Sequence, residues 1–299
     1  MNFDSILEAL SEEEAVVSLA KPSISSVALA DCAKAWAIAS YVYLAERKTV
    51  FVVTPTIKEA SILHSDMCAI LGADQVELFP AWETLPFERV SPALTTMGQR
   101  VKVLWQMKNS CSPKVVVSPI RAVTQLLAAD QDNEPISIAP KEIIDLDSTL
   151  SRLVRMGYRR VAQVEHRGEV AKRGSILDVY PTTADSPVRI DLWGDEVDRL
   201  VEFSISDQLT VSEKQGIQIF PAREILPNET IKKKAENLVS VAPWGRPHWE
   251  KFIDGETFDG MESWLPWIVA KEETILDYLP KGSRLFIVDP DRSKSRMEE

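Results

Sequence analysis

Residues 168–206 read GEVAKRGSILDVYPTTADSPVRIDLWGDEVDRLVEFSIS, and their pattern is the strongest indication of the fold in the central part of the chain. Short runs of alternating apolar and polar residues are separated by turns rich in glycine and proline, which is typical of antiparallel strands with one buried face. The segment PTTADSP (181–187) has the composition of a connection between two such strands. The pattern predicts an antiparallel β-rich domain, preceded by one helix at 147–156.

The run VRIDLW (188–193) carries the clearest surface signal. Side chains alternate between the two faces of a strand, and the apolar set predicts the core face: Val188, Ile190 and Leu192. Arg189, Asp191 and Trp193 then share the opposite, solvent-facing side. An exposed tryptophan near an arginine is typical of a protein-interface hot spot, and Arg173 on the preceding strand can join it across the ladder. The pattern fits a second interpretation equally well, in which Trp193 packs beneath a loop and the arginines form ordinary surface ion pairs.

Outward from this stretch, strands and helices alternate. Continuous apolar runs predict strands buried on both faces of a parallel sheet; they are TVFVVT (49–54), QVELF (75–79), KVVVS (114–118) and LFIVD (285–289). Thr56 and Glu59 predict a capping box at the start of a helix that ends before Gly72. Further helices are expected at 96–107, after Pro119 and over KKKAENLVS (232–240). Alternating strands and helices indicate an α/β fold with a covered parallel sheet.

The domain organisation follows from these changes of pattern. Basic and acidic residues balance over 151–205, whereas the acidic excess lies outside it. We therefore expect a parallel-sheet lobe interrupted by an inserted antiparallel β-rich domain. The predicted boundaries are a helical extension (1–22), a first part of the lobe (23–136), the insert (137–208) and a second part of the lobe (209–299). The charged ending DRSKSRMEE shows no helix stop, so we expect the chain to be cut there.

Composition excludes several classes of protein. The 299 residues are 45% hydrophobic and 26% charged, as in globular proteins. A net charge of −11 disfavours DNA binding by the whole surface, although it does not exclude binding by a local basic patch. The cysteines lie far apart and form no CxxC pair: Cys32, Cys68 and Cys111. No metal-binding spacing, signal peptide or membrane-spanning run is present, so we expect a cytoplasmic protein without a metal.

Nucleotide binding is the first chemistry to test in a parallel α/β chain. A phosphate-binding loop needs GxxxxGK[ST], yet the segment before the first helix of the lobe reads ALADCAKA (28–35). Lys34 is retained, but the two glycines and the hydroxyl are replaced by alanine: Ala28, Ala33 and Ala35. Asp289 ends the opposing strand and Pro290 follows it. We expect Lys34 to be a solvated helix residue, with no bound cofactor and no catalytic residue.

The chain resembles a known family from about Ser23 to its end, and two stretches carry most of this resemblance. FPAWETLPFERVSP (79–92) and residues 157–210 are similar to the N-terminal module of bacterial transcription-repair coupling factors, which in turn resembles the damage-recognition protein UvrB. The resemblance implies a RecA-like lobe with a degenerate phosphate loop, and an insert that docks the repair protein UvrA. It also places the UvrA-contacting positions on Arg173, Arg189 and Trp193, with Trp193 standing where relatives can carry phenylalanine.

The resemblance implies a non-catalytic module that recruits UvrA in transcription-coupled nucleotide excision repair. In this family, RNA-polymerase binding and ATP- and Mg-dependent DNA translocation belong to further domains, which we expect to be missing here. Residues 79–92 hold no tyrosine, so the DNA clamp of UvrB is not expected. An ATP-binding, UvrB-like excision nuclease subunit and a direct DNA-binding module are the alternatives. Mg-ATP calorimetry and the salt dependence of duplex affinity separate them from the docking module.

Overall fold

The computed structural model describes residues 3–21, 26–44, 49–85, 88–109, 112–128, 131–269 and 271–298 of the chain. Cys111 and residues 86–87 of the 79–92 segment lie outside it. The chain divides into two compact units: residues 1–81, 106–125 and 274–299, and residues 82–105 and 126–273. The predicted domain boundaries stay a prediction.

The strands of the described residues are β1 (Val50–Thr54), β2 (Val76–Leu78), β3 (Val115–Pro119), β4 (Ile136–Ile138), β5 (Arg159–Arg160), β6 (Glu169–Arg173), β7 (Ile176–Val179), β8 (Val188–Trp193), β9 (Glu196–Phe203), β10 (Thr210–Lys214), β11 (Ile217–Ile219) and β12 (Arg284–Ile287). The α-helices are α1 (Asp4–Ser11), α2 (Glu14–Leu19), α3 (Asp31–Leu44), α4 (Ile57–Leu71), α5 (Leu94–Lys108), α6 (Ile120–Val123), α7 (Leu146–Arg155), α8 (Glu229–Val241), α9 (Arg246–Asp254), α10 (Leu265–Ile268) and α11 (Pro290–Glu298). Single 3₁₀ turns cover Pro243–Gly245, Met261–Trp264 and Ile275–Tyr278. None of the helices in these ranges combines the length and the apolar run that crossing a bilayer requires.

The first unit contains a parallel sheet in the order β12-β1-β3-β2. Every residue of β1 and β3 is buried, as their β-branched runs predict. The expectation that residues 285–289 form another fully buried strand is wrong. Residues of the edge strand β12 alternate between partly buried and exposed, so only one of its faces is covered, and Leu285 and Ile287 are exposed on the other.

Helix α4 begins and ends as its sequence predicts. The Thr56 hydroxyl accepts a hydrogen bond from the backbone N–H of Glu59 at 3.3 Å, and Gly72 follows the helix with φ 98°. The second half of the capping box takes another form, since the Glu59 carboxylate accepts the Thr56 hydroxyl at 2.6 Å and Arg292 Nη1 at 2.8 Å. The helix expected after Pro119 is a single turn, α6.

The second unit contains a six-stranded sheet in the order β10-β9-β8-β7-β6-β5. Strands β6 to β10 pair antiparallel, and the short β5 pairs parallel with β6. Helix α7 has Asp145 as its N-cap and supplies Leu150 and Leu153 to the core on one face of this sheet. The predicted β-rich stretch and the helix before it are therefore confirmed.

A second apolar core in the same unit is rich in aromatic residues. Trp249 and Phe252 of α9 are completely buried, and the ring of His248 stacks on Trp264 at 4.0 Å between centroids. Strands β4 and β11 form a separate two-stranded antiparallel sheet. The fold is thus mixed α/β, with one parallel sheet of four strands and separate antiparallel sheets.

Candidate docking surface

Strand β8 separates its residues between two faces as predicted. Val188, Ile190 and Leu192 are buried, Arg189 and Asp191 are partly buried, and Trp193 is 85% exposed. The reading in which Trp193 packs beneath a loop is therefore wrong. An indole this exposed leaves a large apolar area in contact with water, where a binding partner can cover it.

Trp193 owes its exposure to a tight hairpin. It pairs with Glu196 at the end of the β8–β9 ladder, and only Gly194 and Asp195 connect the two strands. Gly194 has φ 64°, a left-handed conformation that glycine adopts without steric cost. This two-residue loop is too short to fold back over the indole.

Arg173 lies on the outer face as predicted, but on a different strand from the predicted one. It lies on β6, and β7 separates that strand from β8, so Arg173 is not on the strand next to Arg189. Its cross-strand partner is Ile176, which in turn pairs with Asp191. Directly paired residues share one face of a sheet, so Arg173 and Asp191 lie on the same side.

A buried carboxylate joins the two predicted arginines. Asp178 on β7 is completely buried, and it accepts Arg189 Nε at 2.7 Å and Arg189 Nη2 at 3.0 Å. Arg173 Nη2 also donates to Asp178 Oδ2. Asp178 was not among the predicted site residues, although the alternation in LDV (177–179) places it on the face shared with Arg189. A buried charge of this kind needs ionic partners, and both arginines supply them.

The two guanidinium groups are consequently not equally available. Arg189 lies over the Phe203 ring at 4.5 Å and donates to the Gln208 side chain, and only 17% of its side chain is exposed. Its hydrogen bonds to Asp178 raise the pKa of Arg189 above the ordinary value, outweighing burial. The Arg173 side chain is 44% exposed. The expectation that both arginines face outward equally is corrected: Arg173 faces solvent, and Arg189 is largely enclosed.

Asp191 is part of a second ion pair on this face. Its Oδ2 accepts Arg199 Nε at 2.7 Å from the neighbouring strand β9. Arg199 was not among the predicted site residues, although the pattern of β9 gives it the outward orientation of Asp191. Arg173, Asp191, Arg199 and Trp193 form what we call the outer patch, and Asp178 and Arg189 lie directly beneath and beside it.

Ion pairs within the first unit hold the segment in which a phosphate loop was considered, residues 28–35. Lys34 Nζ lies 2.8 Å from Asp31 and 3.2 Å from Asp289, and its side chain is mostly buried. The expectation of a solvated Lys34 is wrong. Burial alone would lower the pKa of Lys34, but the hydrogen bonds and charges of Asp31 and Asp289 outweigh it and raise that pKa.

The alanines of this segment offer no chemistry for a phosphate. Ala28 precedes α3, whereas Ala33 and Ala35 lie in its first turns, and Ala35 is buried. Alanine keeps its backbone N–H, but its Cβ restricts the backbone conformations and the close approach to phosphate that glycine allows, and its methyl group cannot coordinate Mg²⁺ as a hydroxyl does. Within the described ranges, no cluster of three or more His, Cys, Asp or Glu side chains has a geometry that could hold a metal ion.

The part of the chain that carries the outer patch matches a known domain family. Residues 136–225 match the family described as UvrB interaction domain, and this range contains every residue of the patch. The transcription-repair-coupling factor of Mycobacterium tuberculosis (strain CDC 1551 / Oshkosh) is 33% identical over 271 residues, which cover 85% of this chain and 22% of that protein.

Two further relatives carry the same name. The transcription-repair-coupling factor of Bacillus subtilis (strain 168) is 29% identical over 84% of this chain, and that of Haemophilus influenzae (strain ATCC 51907 / DSM 11121 / KW20 / Rd) is 29% identical over 83%. The chain spans 22 or 23% of the length of these relatives. The predicted resemblance is confirmed: the chain contains a UvrB interaction domain, and most of it is related to the N-terminal region of the transcription-repair-coupling factors.

Proposed function

We propose that this chain is a docking module that recruits UvrA during transcription-coupled nucleotide excision repair. The observation that carries the proposal is the exposed indole of Trp193, which projects beside two arginines from a sheet that matches a UvrB interaction domain. The relatives are named for coupling transcription to repair, which supports the same setting. UvrA works on bacterial DNA, so the proposal places the chain in the cytoplasm.

Trp193 supplies the anchor of the proposed interface. Nearly the whole indole faces water in the free chain, so a partner that covers it gains the full apolar area without first opening the fold. Tryptophan and arginine dominate interface hot spots, where truncation to alanine typically costs about 2 kcal/mol or more.

Arg173 and Arg189 have different parts in this proposal. Arg173 is the arginine that reaches an acidic group on UvrA, because nearly half of its side chain faces solvent. Charge-assisted hydrogen bonds from a guanidinium fix orientation as well as adding affinity. Arg189 contributes through Asp178, since the two side chains hold β7 and β8 in register.

We also propose that the chain neither binds nucleotide nor catalyses a reaction. Lys34 is neutralised by Asp31 and Asp289, and alanine replaces the phosphate-cradling groups. The parallel sheet that carries this segment supports a RecA-like lobe in a degenerate form. ATP-driven translocation and RNA-polymerase binding are not assigned to these residues.

Isothermal calorimetry of the 299-residue chain with purified UvrA tests the docking function. We expect the wild-type chain to bind, and Trp193→Ala and Arg173→Ala each to weaken binding, by about 2 kcal/mol or more for the tryptophan. Val241→Ala is the control, because Val241 is an exposed apolar residue that lies outside residues 136–225.

Thermal unfolding of each variant shows whether the fold is kept. Arg173→Ala and Arg189→Ala are each interpreted only together with their unfolding curves, because each substitution also removes a partner from the buried Asp178. If UvrA does not bind the wild-type chain, or binds Trp193→Ala and Arg173→Ala as tightly as wild type, the proposed function is wrong.

A further inference from the structure

Ile143 is the second very exposed apolar side chain of this unit. It is 81% exposed and Trp193 is 85% exposed, and these are the highest values among the exposed large apolar side chains of the described ranges. Ile143 lies in the segment before α7, outside the strands from which the outer patch is built. Isolated exposed apolar residues are ordinary, but two extreme cases on one sheet call for a common explanation.

The two side chains belong to one cross-strand row. Glu196 pairs with Trp193 on one side, and on its other side it forms an antiparallel bridge with Ile143. Residues directly opposite in antiparallel ladders project from the same face, so Ile143, Glu196 and Trp193 share one face. Two strand spacings separate the outer members of the row, which puts their Cα atoms roughly 10 Å apart.

Backbone hydrogen bonds hold Ile143 in this position. Lys141 N–H donates to the Val197 carbonyl at 2.8 Å, and Ile144 N–H donates to the Asp195 carbonyl at 2.9 Å. Ile144 packs against the core, and adjacent residues of an extended chain point in opposite directions. Ile143 therefore points outward, and its exposed conformation is already ordered before any partner arrives, which lowers the cost of binding.

Charge divides this face in a definite direction. Arg173 and Arg199 lie in the cross-strand row of Asp191, whereas the exposed Glu196 lies in the row of Trp193, next to the hairpin residue Asp195. A complementary partner must present acidic groups opposite the arginines and cationic groups opposite the hairpin.

We propose that the docking surface extends across the hairpin to Ile143, and that UvrA covers Trp193 and Ile143 together with one apolar recess. A lysine or arginine of UvrA at the floor or rim of that recess pairs with Glu196. This inference rests on the proposed function, because it uses the same partner and the same face of the domain. It adds a second anchor and a fixed orientation of the partner along the row.

The test compares affinities of the 299-residue chain for purified UvrA by calorimetry. Ile143→Ser is expected to weaken binding roughly tenfold, since it removes an apolar side chain from a covered site. Val154→Ser is the matched control: Val154 is an exposed residue of α7, the helix that packs on the opposite face of the sheet. Its affinity is expected to equal that of wild type.

Trp193→Ala separates this inference from the proposed function. If Trp193→Ala weakens binding and Ile143→Ser does not, the extension to Ile143 is wrong and the docking function stands. If neither variant weakens binding, both fail. If Val154→Ser weakens binding as much as Ile143→Ser, the effect is not specific to the row and the extension also fails.

Glu196→Lys tests the proposed cation on the partner. We expect it to weaken binding at least fivefold at low salt, mainly by slowing association, and less at high salt because screening reduces repulsion between like charges. Association rates from surface plasmon resonance measure this. Unchanged or faster association at low salt would contradict a cationic group opposite Glu196.

Discussion

Asp178 and Arg189 lie directly opposite each other on β7 and β8, and the buried Asp178 carboxylate accepts Arg189 Nε at 2.7 Å. Arg173 on β6 donates to the same carboxylate, so one acidic side chain connects three adjacent strands. Arg173 and Arg189 therefore contribute to the stability of the domain. Substitutions here must be measured for folding as well as for binding.

Asp178→Ala is expected to lower the free energy of unfolding by about 3 kcal/mol, because it leaves the largely enclosed Arg189 guanidinium without its anion. Urea denaturation followed by circular dichroism measures this. Asp185→Ala is the control, since the Asp185 carboxylate is fully exposed and its pair with Arg167 should contribute less than about 1 kcal/mol. A loss below that level for Asp178→Ala would contradict the role given to this carboxylate.

The buried pair of Arg100 and Glu224 is expected to be a larger determinant of stability. Arg100 Nε lies 2.7 Å from Glu224 Oε2, both side chains are almost completely buried, and the Trp82 indole N–H donates to the same carboxylate at 3.0 Å. Glu224→Ala should cost about 3–5 kcal/mol in urea denaturation.

The double variant Arg100→Met with Glu224→Leu tests whether the cost of Glu224→Ala comes from the uncompensated charge. Because neither charge remains buried, this variant should recover much of the stability. Equal losses for the single and the double variant would show that packing, and not the unpaired guanidinium, causes the effect.

Stability should decrease on mild acidification because of His248. Burial, together with the charges of Lys251 and Arg89, lowers the pKa of His248 below its ordinary value of 6.5. The folded chain then holds fewer protons than the unfolded chain at and below that pH. The stability from neutral His248 is complete above about pH 6.5 and is lost as the pH falls through the folded pKa.

His248→Phe isolates this contribution, since phenylalanine can keep the stacking on Trp264 but does not titrate. Between pH 7 and 5.5, the free energy of unfolding of the wild type should fall more steeply than that of His248→Phe. The difference in slope is limited to about 1.4 kcal/mol per pH unit, the value for one proton. Parallel curves would show that His248 does not titrate differently in the folded chain.

Mg-ATP is expected to give no saturable heat in calorimetry and no thermal stabilisation up to about 1 mM, the upper range of common substrate affinities. Lys34→Ala should instead lower the free energy of unfolding by about 1 kcal/mol, because it removes the partly buried partner of Asp289. Lys58→Ala, on an exposed face of α4, should change it by less than about 0.5 kcal/mol. If Mg-ATP stabilised the wild-type chain and Lys34→Ala abolished that stabilisation, the chain would bind nucleotide through Lys34 and the prediction would be wrong.

Much of the fold could be predicted because the signals were local. The strand at 50–54, the cap at Thr56 and the two faces of β8 follow from patterns within a few residues. Predictions that depended on neighbours in space were less successful. An apolar run such as 285–288 looks the same in a central and in an edge strand, so its exposure could not be read from its letters. Lys34 looked solvated because Asp289 is 255 positions away in the chain.

The side of β8 that carries Arg189, Asp191 and Trp193 follows from the sequence, because alternation along a strand is set by the stereochemistry of consecutive residues. The neighbours of these residues depend instead on how distant segments of the chain pair. The order and register in which separate segments pair bring Asp178 between two arginines. They also align Ile143 with Trp193. Those pairings minimise the free energy of the whole sheet, so no single segment contains the information that specifies them.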